Sequence, residues 1–294
     1  MFWIIGSYIF FYLTDLTPFT TGLTVPKLNQ AQMRGIDLPI PPIEEQRHFL
    51  HILDEAFATI DQAKENLQRN LQNAKDLFKS ELNSIFENKG NNWQEKSLKE
   101  IGETQTGNTP STKEPDNYGD FIPFVKPPHF KKDGTIESEE SGLSEKGIRS
   151  ARLFKANSIL MVCIGATIGK TGFSEIPVTS NQQINALTPK EEFEPRLFYY
   201  ALITDDFFNK VIHASSQATL PIINKSKWER LTVAFPKDRK EQSEIVQQLD
   251  TLSIETKNLE NIYQKKLDNL EELKKSILQK AFSGELTIKL SVLA

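Results

Sequence analysis

The sequence predicts an α+β (mixed α/β) domain joined to two long α-helices that pair as an antiparallel coiled coil. Three observations predict it. A segment of about 65 residues recurs at an offset near 195. Each copy runs into a stretch free of proline and glycine whose apolar residues fall at heptad spacing. Between the copies, glycine and proline cut the chain into short apolar runs.

Met1 to Leu13 is apolar and aromatic. It is shorter than the roughly 20 residues that cross a bilayer, and no basic stretch or small-residue cleavage site accompanies it. A core helix truncated at its front is expected, with neither a membrane segment nor a signal peptide.

The repeat follows. Thr24–Pro42 reads TVPKLNQAQMRGIDLPIPP and Thr219–Pro236 reads TLPIINKSKWERLTVAFP. Pro26 aligns with Pro221, Asn29 with Asn224, Met33 with Trp228, Ile36 with Leu231, Leu38 with Val233 and Pro41 with Pro236. After one inserted residue, Glu45-Gln46 matches Glu241-Gln242, Leu53-Asp54 matches Leu249-Asp250, and Leu71, Leu77, Lys79-Ser80 and Phe86 match Leu267, Leu273, Lys275-Ser276 and Phe282. The period is too long for a solenoid, whose units run about 20–50 residues. Each copy holds a short strand-like run (Ile36–Ile40; Leu231–Phe235), then proline, then a Glu-rich helix start, where carboxylates favour the positive end of the helix dipole.

The first helix is predicted over Glu44–Asn88. Leu50, Leu53, Phe57, Ile60, Lys64, Leu67, Leu71, Ala74 and Phe78 alternate steps of three and four, a heptad seam with Lys64 its weak position. Leu82 and Ile85 follow a four-residue step, a stutter. The second helix, Lys240–Ser283, repeats the idea through Ile245, Leu249, Leu252, Leu259, Tyr263, Leu270, Leu273 and Ile277. At 1.5 Å per residue such a helix reaches roughly 60 Å. Neither buries its stripe alone, so the two are expected to pack together and to hold what sits at their ends a fixed distance apart.

The middle segment, Asn91–Pro236, is punctuated by Gly107-Asn108-Thr109-Pro110, Tyr118-Gly119-Asp120, Lys126-Pro127-Pro128 and Asp133-Gly134. Phe121–Val125 and Ser158–Ile164 read as strands, and Pro195–Asn209 as a helical stretch with aromatic bulk.

Enzyme-like strings do not hold. Gly165-Ala-Thr-Ile-Gly169-Lys170-Thr171 has three residues between its glycines where a P-loop needs four. Lys126-Pro127-Pro128-His129-Phe130 echoes an amino-methyltransferase motif, but lysine only donates where that chemistry needs an Asn or Asp acceptor. His48, His51, His129 and His213 are scattered, so no metal site and no bound cofactor are expected. The single cysteine, Cys163, excludes an internal disulfide; its apolar neighbours suggest a buried small hydrophobe, and the cytoplasm is the expected location. The net charge of −4 argues mildly against nucleic acid, although acidic helices can mask a local basic surface.

The candidate chemistry is polar loops suited to DNA. Lys126, His129, Lys131 and Lys132 surround Phe130; Asn181, Gln182 and Gln183 supply amides, which pair with adenine bidentately. Thr109 and Ser111 follow Gly107, Lys170 sits in a glycine loop, and Ser216, Gln217 and Thr219 precede the second repeat copy. Lysines grip phosphates and set register, while amides and hydroxyls specify sequence. Beside this stands the plain alternative that surface lysines are merely solvated and that Asn181-Gln182 ties a loop to backbone.

The order of domain, proline, Glu-Gln, long helix, second domain and long helix resembles the specificity subunit of Type I restriction-modification enzymes. So do the strings Gly107-Asn-Thr-Pro110, ILMVCIGATIGK (residues 159–170), NQQINAL (181–187), IPPIEEQ (40–46) and AFPKDRKEQ (234–242). The resemblance covers nearly all of residues 1–284. It implies target-recognition domains joined by an antiparallel helix pair, each reading part of a split double-stranded DNA target. It also implies docking of methylation subunits, which bind S-adenosylmethionine, and of a motor-nuclease subunit, the reader itself catalysing nothing. On this reading residues 1–43 are the C-terminal remnant of a first recognition domain, because Phe10-Phe11-Tyr12-Leu13 resembles Phe198-Tyr199-Tyr200-Ala201. Residues 44–90 are a spacer helix, 91–236 a complete recognition domain, 237–284 a second spacer helix and 285–294 a tail. A homodimer is then expected to rebuild the twofold. The alternative is a coiled-coil scaffold or a silent cassette copy without DNA binding of its own.

Overall fold

The structure, a computed structural model, describes residues 17–21, 27–36, 43–131, 133–138, 142–216 and 220–282. The expected front helix of Met1–Leu13, most of the strand-like run Ile36–Ile40 and the tail 285–294 lie outside the described residues. The fold is α+β with two long helices, as the sequence predicts. The chain divides into two compact units, one from Met1–Ala74 and Lys257–Ala294, the other Lys75–Thr256.

In the first unit, a short helix α1 (Gln30–Arg34) opens on a reciprocal cap. The Asn29 side chain accepts from the Gln32 backbone N–H at 2.9 Å, and the Gln32 side chain accepts from that of Asn29 at 2.8 Å. The long helices α2 (Ile43–Glu87) and α7 (Arg239–Phe282) both pass through this unit. There they run antiparallel, with Lys274 3.0 Å from Asp61 and Lys64 bonded to Glu271. Leu53, Ile60 and Ala74 are buried, and Phe57, Leu67 and Leu71 are half-buried, so the heptad stripe is the covered face of α2. Tyr263 and Leu270 are half-buried on α7, where Ile277 is too.

Leu259 and Leu273, placed on the second seam by their apolarity, are instead 37% and 46% exposed. The covered positions of α7 include Leu249, Ser253, Thr256, Glu260, Tyr263, Leu267, Leu270 and Lys274. These are the first helix's seam carried over in the repeat register. Polar residues hold half of them. Lys274 does so by setting its ammonium over the Phe57 ring, 5.0 Å from the centroid, while pairing it with Asp61.

The second unit is the middle domain together with one end of each long helix. A two-stranded sheet pairs β1 (Trp93–Ser97) with β10 (Thr232–Pro236) antiparallel. Between them in sequence, α3 (Leu98–Ile101) leads to β2 (Gly102–Thr106), β3 (Tyr118–Val125), β4 (Gly142–Leu143), β5 (Leu153–Phe154), β6 (Ser158–Val162), β7 (Thr171–Ser174), β8 (Val178–Ser180) and β9 (Ile184–Pro189). One four-stranded sheet has the order β2-β9-β6-β7, all antiparallel; the other has the order β4-β3-β8-β5, with β3 and β8 parallel. Strand β6 is buried on both faces, which is why it reads as an uninterrupted apolar run. Ile159 and Met161 face the helices; Leu160 and Val162 face the second core with Val125, Phe154 and Val178.

Helices α4 (Pro195–Leu202), α5 (Asp205–Ala214) and α6 (Lys225–Trp228) follow. The single helical stretch expected over Pro195–Asn209 is broken at Thr204, whose hydroxyl accepts the Phe207 backbone N–H at 3.2 Å and starts a new helix. Asn224 caps α6 by accepting from Lys227 at 2.9 Å, the role its repeat counterpart Asn29 plays for α1. Phe193, Phe198 and Phe235 form an edge-to-face cluster with centroids 4.9–5.5 Å apart. Leu82 and Phe86 of α2 and Val246 and Leu249 of α7 share this core. The division between units falls inside both long helices, after Ala74 and after Thr256. The repeated Gln242 is buried, donating to the Pro236 carbonyl at 2.8 Å and accepting from the Glu194 N–H at 3.0 Å.

Candidate nucleic-acid interface

Strand direction brings the candidate loops to one end of the middle domain. β2 and β6 finish there while their antiparallel neighbours β9 and β7 begin there. The parallel strands β3 and β8 finish at the turn that crosses from one sheet to the other, residues 181–183.

That turn is the hub. Asn181 donates its backbone N–H to Val125 at 3.2 Å, next to Lys126. Its side chain accepts from the Gln183 N–H at 3.1 Å and donates to the Gln183 side-chain oxygen at 3.0 Å. The Gln183 carbonyl accepts from Cys163 at 2.8 Å, tying in the loop that carries Lys170. Gln182, exposed, accepts the Thr109 hydroxyl at 2.7 Å. At the far side Ile164 bridges Ile222, whose carbonyl accepts from Ser216 at 2.9 Å. Thr109, Lys126, Lys170, Asn181, Gln182, Gln183 and Ser216 thus come together. His129 and Lys131 lie on the excursion that leaves β3 at the same end. Ser111 is exposed, its carbonyl accepting from the Asn117 side chain at 3.1 Å. Lys132, Gln217 and Thr219 fall outside the described residues.

Roles differ within the group. Both functions of the Asn181 amide are spent on Gln183, so Asn181 shapes the turn, whereas Gln182 presents its amide to solvent. Lys131 pairs with Glu137 at 2.7 Å, and that carboxylate raises its pKa, keeping it fully cationic. Gly107 packs where the first loop crosses the hub: a Cβ there meets the Asn181 carbonyl oxygen at 2.3 Å.

Arg152 carries no signal in the sequence, yet it belongs to this surface. It is exposed, its backbone N–H donates to the Asn108 side chain at 2.7 Å, and its guanidinium donates to the Thr106 carbonyl. Asn108 also donates to the Ser150 carbonyl at 2.6 Å, so the Gly107–Pro110 loop and the segment of Arg149 and Arg152 form one surface. No periodic pattern in residues 144–155 marks it; the asparagine after Gly107 is the available clue.

The look-alike phosphate loop spends its amides on protein. Gly165 donates to Pro221, Ile168 to Gly165, Gly169 to Val162 and Lys170 to Thr167. Burial pushes the Cys163 thiol up to about 11, far from a nucleophile's range. Among the described residues no cluster of three His, Cys, Asp or Glu is arranged for a metal, and no helix is long and apolar enough to cross a membrane.

Comparison with known proteins adds five matches. The family model described as the Type I restriction modification DNA specificity domain matches residues 4–72 and again 90–271. The specificity subunit of the Type I restriction enzyme HindI from Haemophilus influenzae is 30% identical over 200 residues, 66% of this chain and 42% of that protein. That of EcoBI from Escherichia coli is 24% identical over 309 residues, covering 94% of this chain and 64% of the relative. The chain spans about two-fifths to two-thirds of the curated relatives' length. Two solved structures share the fold. One is a chain from a study of complex assembly and conformational transition in the type I R-M system, with TM-score 0.71 at 18% identity, covering 89% of this chain and 65% of that one. The other is the HsdS subunit from Thermoanaerobacter tengcongensis, with TM-score 0.58 at 19% identity, covering 95% and 67%.

Proposed function

The chain belongs to the family of Type I restriction-modification DNA specificity domains, and on that premise we propose that it is the non-catalytic, sequence-reading subunit of such an assembly. The observation that carries the reading is the convergence of Thr109, Lys126, Lys170, Gln182, Ser216 and Arg152 at one end of the strands. Their surface offers cations for phosphates beside an exposed amide and hydroxyls for base edges. Lys131, Lys170 and Arg152 set register on the backbone. Gln182, oriented by Thr109, reads a base in the major groove.

In this reading the middle domain takes one half of a bipartite target, and the long helices dock methylation subunits that carry S-adenosylmethionine. Exposed Ile254 and Ile262 on α7, 62% and 49% accessible, suit that docking. A motor-nuclease subunit joins the same assembly, in the cytoplasm. A second copy of the chain supplies the other half-site reader, which light scattering of the full chain tests as a dimer mass.

The test of DNA binding is retention of a mixed-sequence duplex by the full chain as salt rises. Three phosphates gripped at once cost about fortyfold in affinity between roughly 50 and 200 mM salt. Retention that ignores salt, or no retention at all, refutes the reading.

A further inference from the structure

We propose that Asp250 on α7, acting through Tyr200 and Arg196 of α4, is a positioning residue for the DNA-facing excursion that carries residues 126–131 and 133–138. The proposal rests on the DNA-reading function above. Tyr200 donates its hydroxyl to Asp250 Oδ1, and Arg196 reaches the same oxygen with Nε at 3.1 Å and Nη2 at 2.8 Å. The third guanidinium nitrogen donates to Glu175 at 3.1 Å, and the group lies over the Phe173 ring, 5.4 Å from its centroid. Asp250 is half-buried and Tyr200 is 2% exposed, flanked by Phe78 at 6.2 Å. These bonds fix the rotation of α4 on the long helix.

Tyr199, the neighbouring residue, carries that rotation to the excursion. Its ring packs on Phe173 at 6.0 Å, and its hydroxyl closes on Gly134, where a Cβ meets it at 2.0 Å. Gly134 has φ +82° at the tip of a turn in which Asp133 accepts from the Thr135 N–H at 3.0 Å. Two further bonds make the excursion one body: Lys131 N–H to Thr135 at 2.9 Å and Glu137 N–H to His129 at 3.0 Å. Turning α4 therefore moves Tyr199 against or away from the tip, and with it Lys131. Burial pushes the Tyr199 phenol up to about 12 and raises that of Tyr200, so both stay protonated donors through neutral pH.

The sequence repeat supplies an independent observation. Tyr200 and Asp250 recur as Tyr12 and Asp54, whereas Arg196 and Tyr199 are replaced by Tyr8 and Phe11. The tyrosine–aspartate pair is the part of the arrangement that both copies carry.

The experiment compares the full chain with Tyr200→Phe, Asp250→Ala and Asp250→Asn, the last keeping an acceptor oxygen. Hydrogen exchange at the amides of Lys131, Gly134 and Glu137 is expected to speed up about tenfold in the first two variants and to stay near wild type in the third. Exchange in α5 stays constant as the internal reference. In parallel, each protein selects from duplexes with a randomised window. The first two variants are expected to lose about tenfold in enrichment of the wild-type motif, with total retention and salt dependence unchanged. Unchanged exchange in both, or equal acceleration in α5, overturns the proposal. A wild-type chain that enriches no sequence overturns the DNA reading instead, and the exchange data tell these two failures apart.

Discussion

Gly107→Ala tests whether the loops truly share one junction. A Cβ at this position meets Ser180 Oγ at 2.2 Å, the Asn181 carbonyl oxygen at 2.3 Å and the Ser180 carbonyl oxygen at 2.5 Å. Carbon and oxygen atoms settle near 3.3 Å apart, so backbone must retreat by about 1 Å. The serine hydroxyl can rotate away; the two carbonyls cannot. Small-to-large changes that force backbone movement cost about 1–3 kcal/mol. For a unit of this size each kcal/mol lowers Tm by about 2–4 °C, giving a fall of roughly 2–12 °C. The retreat separates Thr109 from Gln182, so sequence enrichment from a randomised duplex pool is expected to fall while salt-dependent retention persists. Thermal unfolding and duplex selection on the same sample check both. A variant with wild-type Tm and wild-type enrichment refutes the junction.

Leu249→Ala, at a fully buried position, is expected to cost about 2–5 kcal/mol, whereas Leu273→Ala, 46% exposed, stays within about 0.5 kcal/mol; urea midpoints distinguish them. Glu229 is held below the usual carboxylate range by hydrogen bonds from Lys225 at 2.6 Å and Thr104 at 2.7 Å. Its folded pKa lies under its unfolded one, so its stabilisation is present above the unfolded value and is lost as pH falls through the folded value. Glu229→Gln is expected to flatten the loss of stability seen by urea titration between neutral pH and about pH 3. Reversing Lys131 and Lys132 to Glu, the first change setting a carboxylate beside Glu137, is expected to weaken binding to every duplex. The salt slope should drop by about one for each phosphate that the variant no longer grips. Gln182→Ala is expected to change the enriched sequence and leave that slope alone.

Long-range periodicity made the helices legible: their observed ends, Ile43–Glu87 and Arg239–Phe282, lie within one residue of those read from proline, glycine and heptad spacing. Choosing the second seam by apolarity failed at Leu259 and Leu273, because Ser253, Thr256, Glu260 and Lys274 occupy covered positions. Carrying the first helix's register across the repeat finds them. The sequence marks only three of the middle domain's strands, Phe121–Val125, Ser158–Ile164 and Leu231–Phe235, since pieces such as Gly142–Leu143 and Leu153–Phe154 are held by pairing and carry too few residues for a period. The loop residues were legible as polar types, but their division of labour was not. That Asn181 is spent inside its turn while Gln182 faces outward depends on the crossover between sheets. Arg152 reaches the interface through Asn108, 44 residues away in sequence.

The most direct test of the account is methylome sequencing of cells that express this chain with a methylation subunit, compared with cells expressing that subunit alone. A sequence-reading chain yields a defined methylated motif that appears only with the chain and changes when Gln182 is replaced. Identical methylomes with and without the chain contradict this reading.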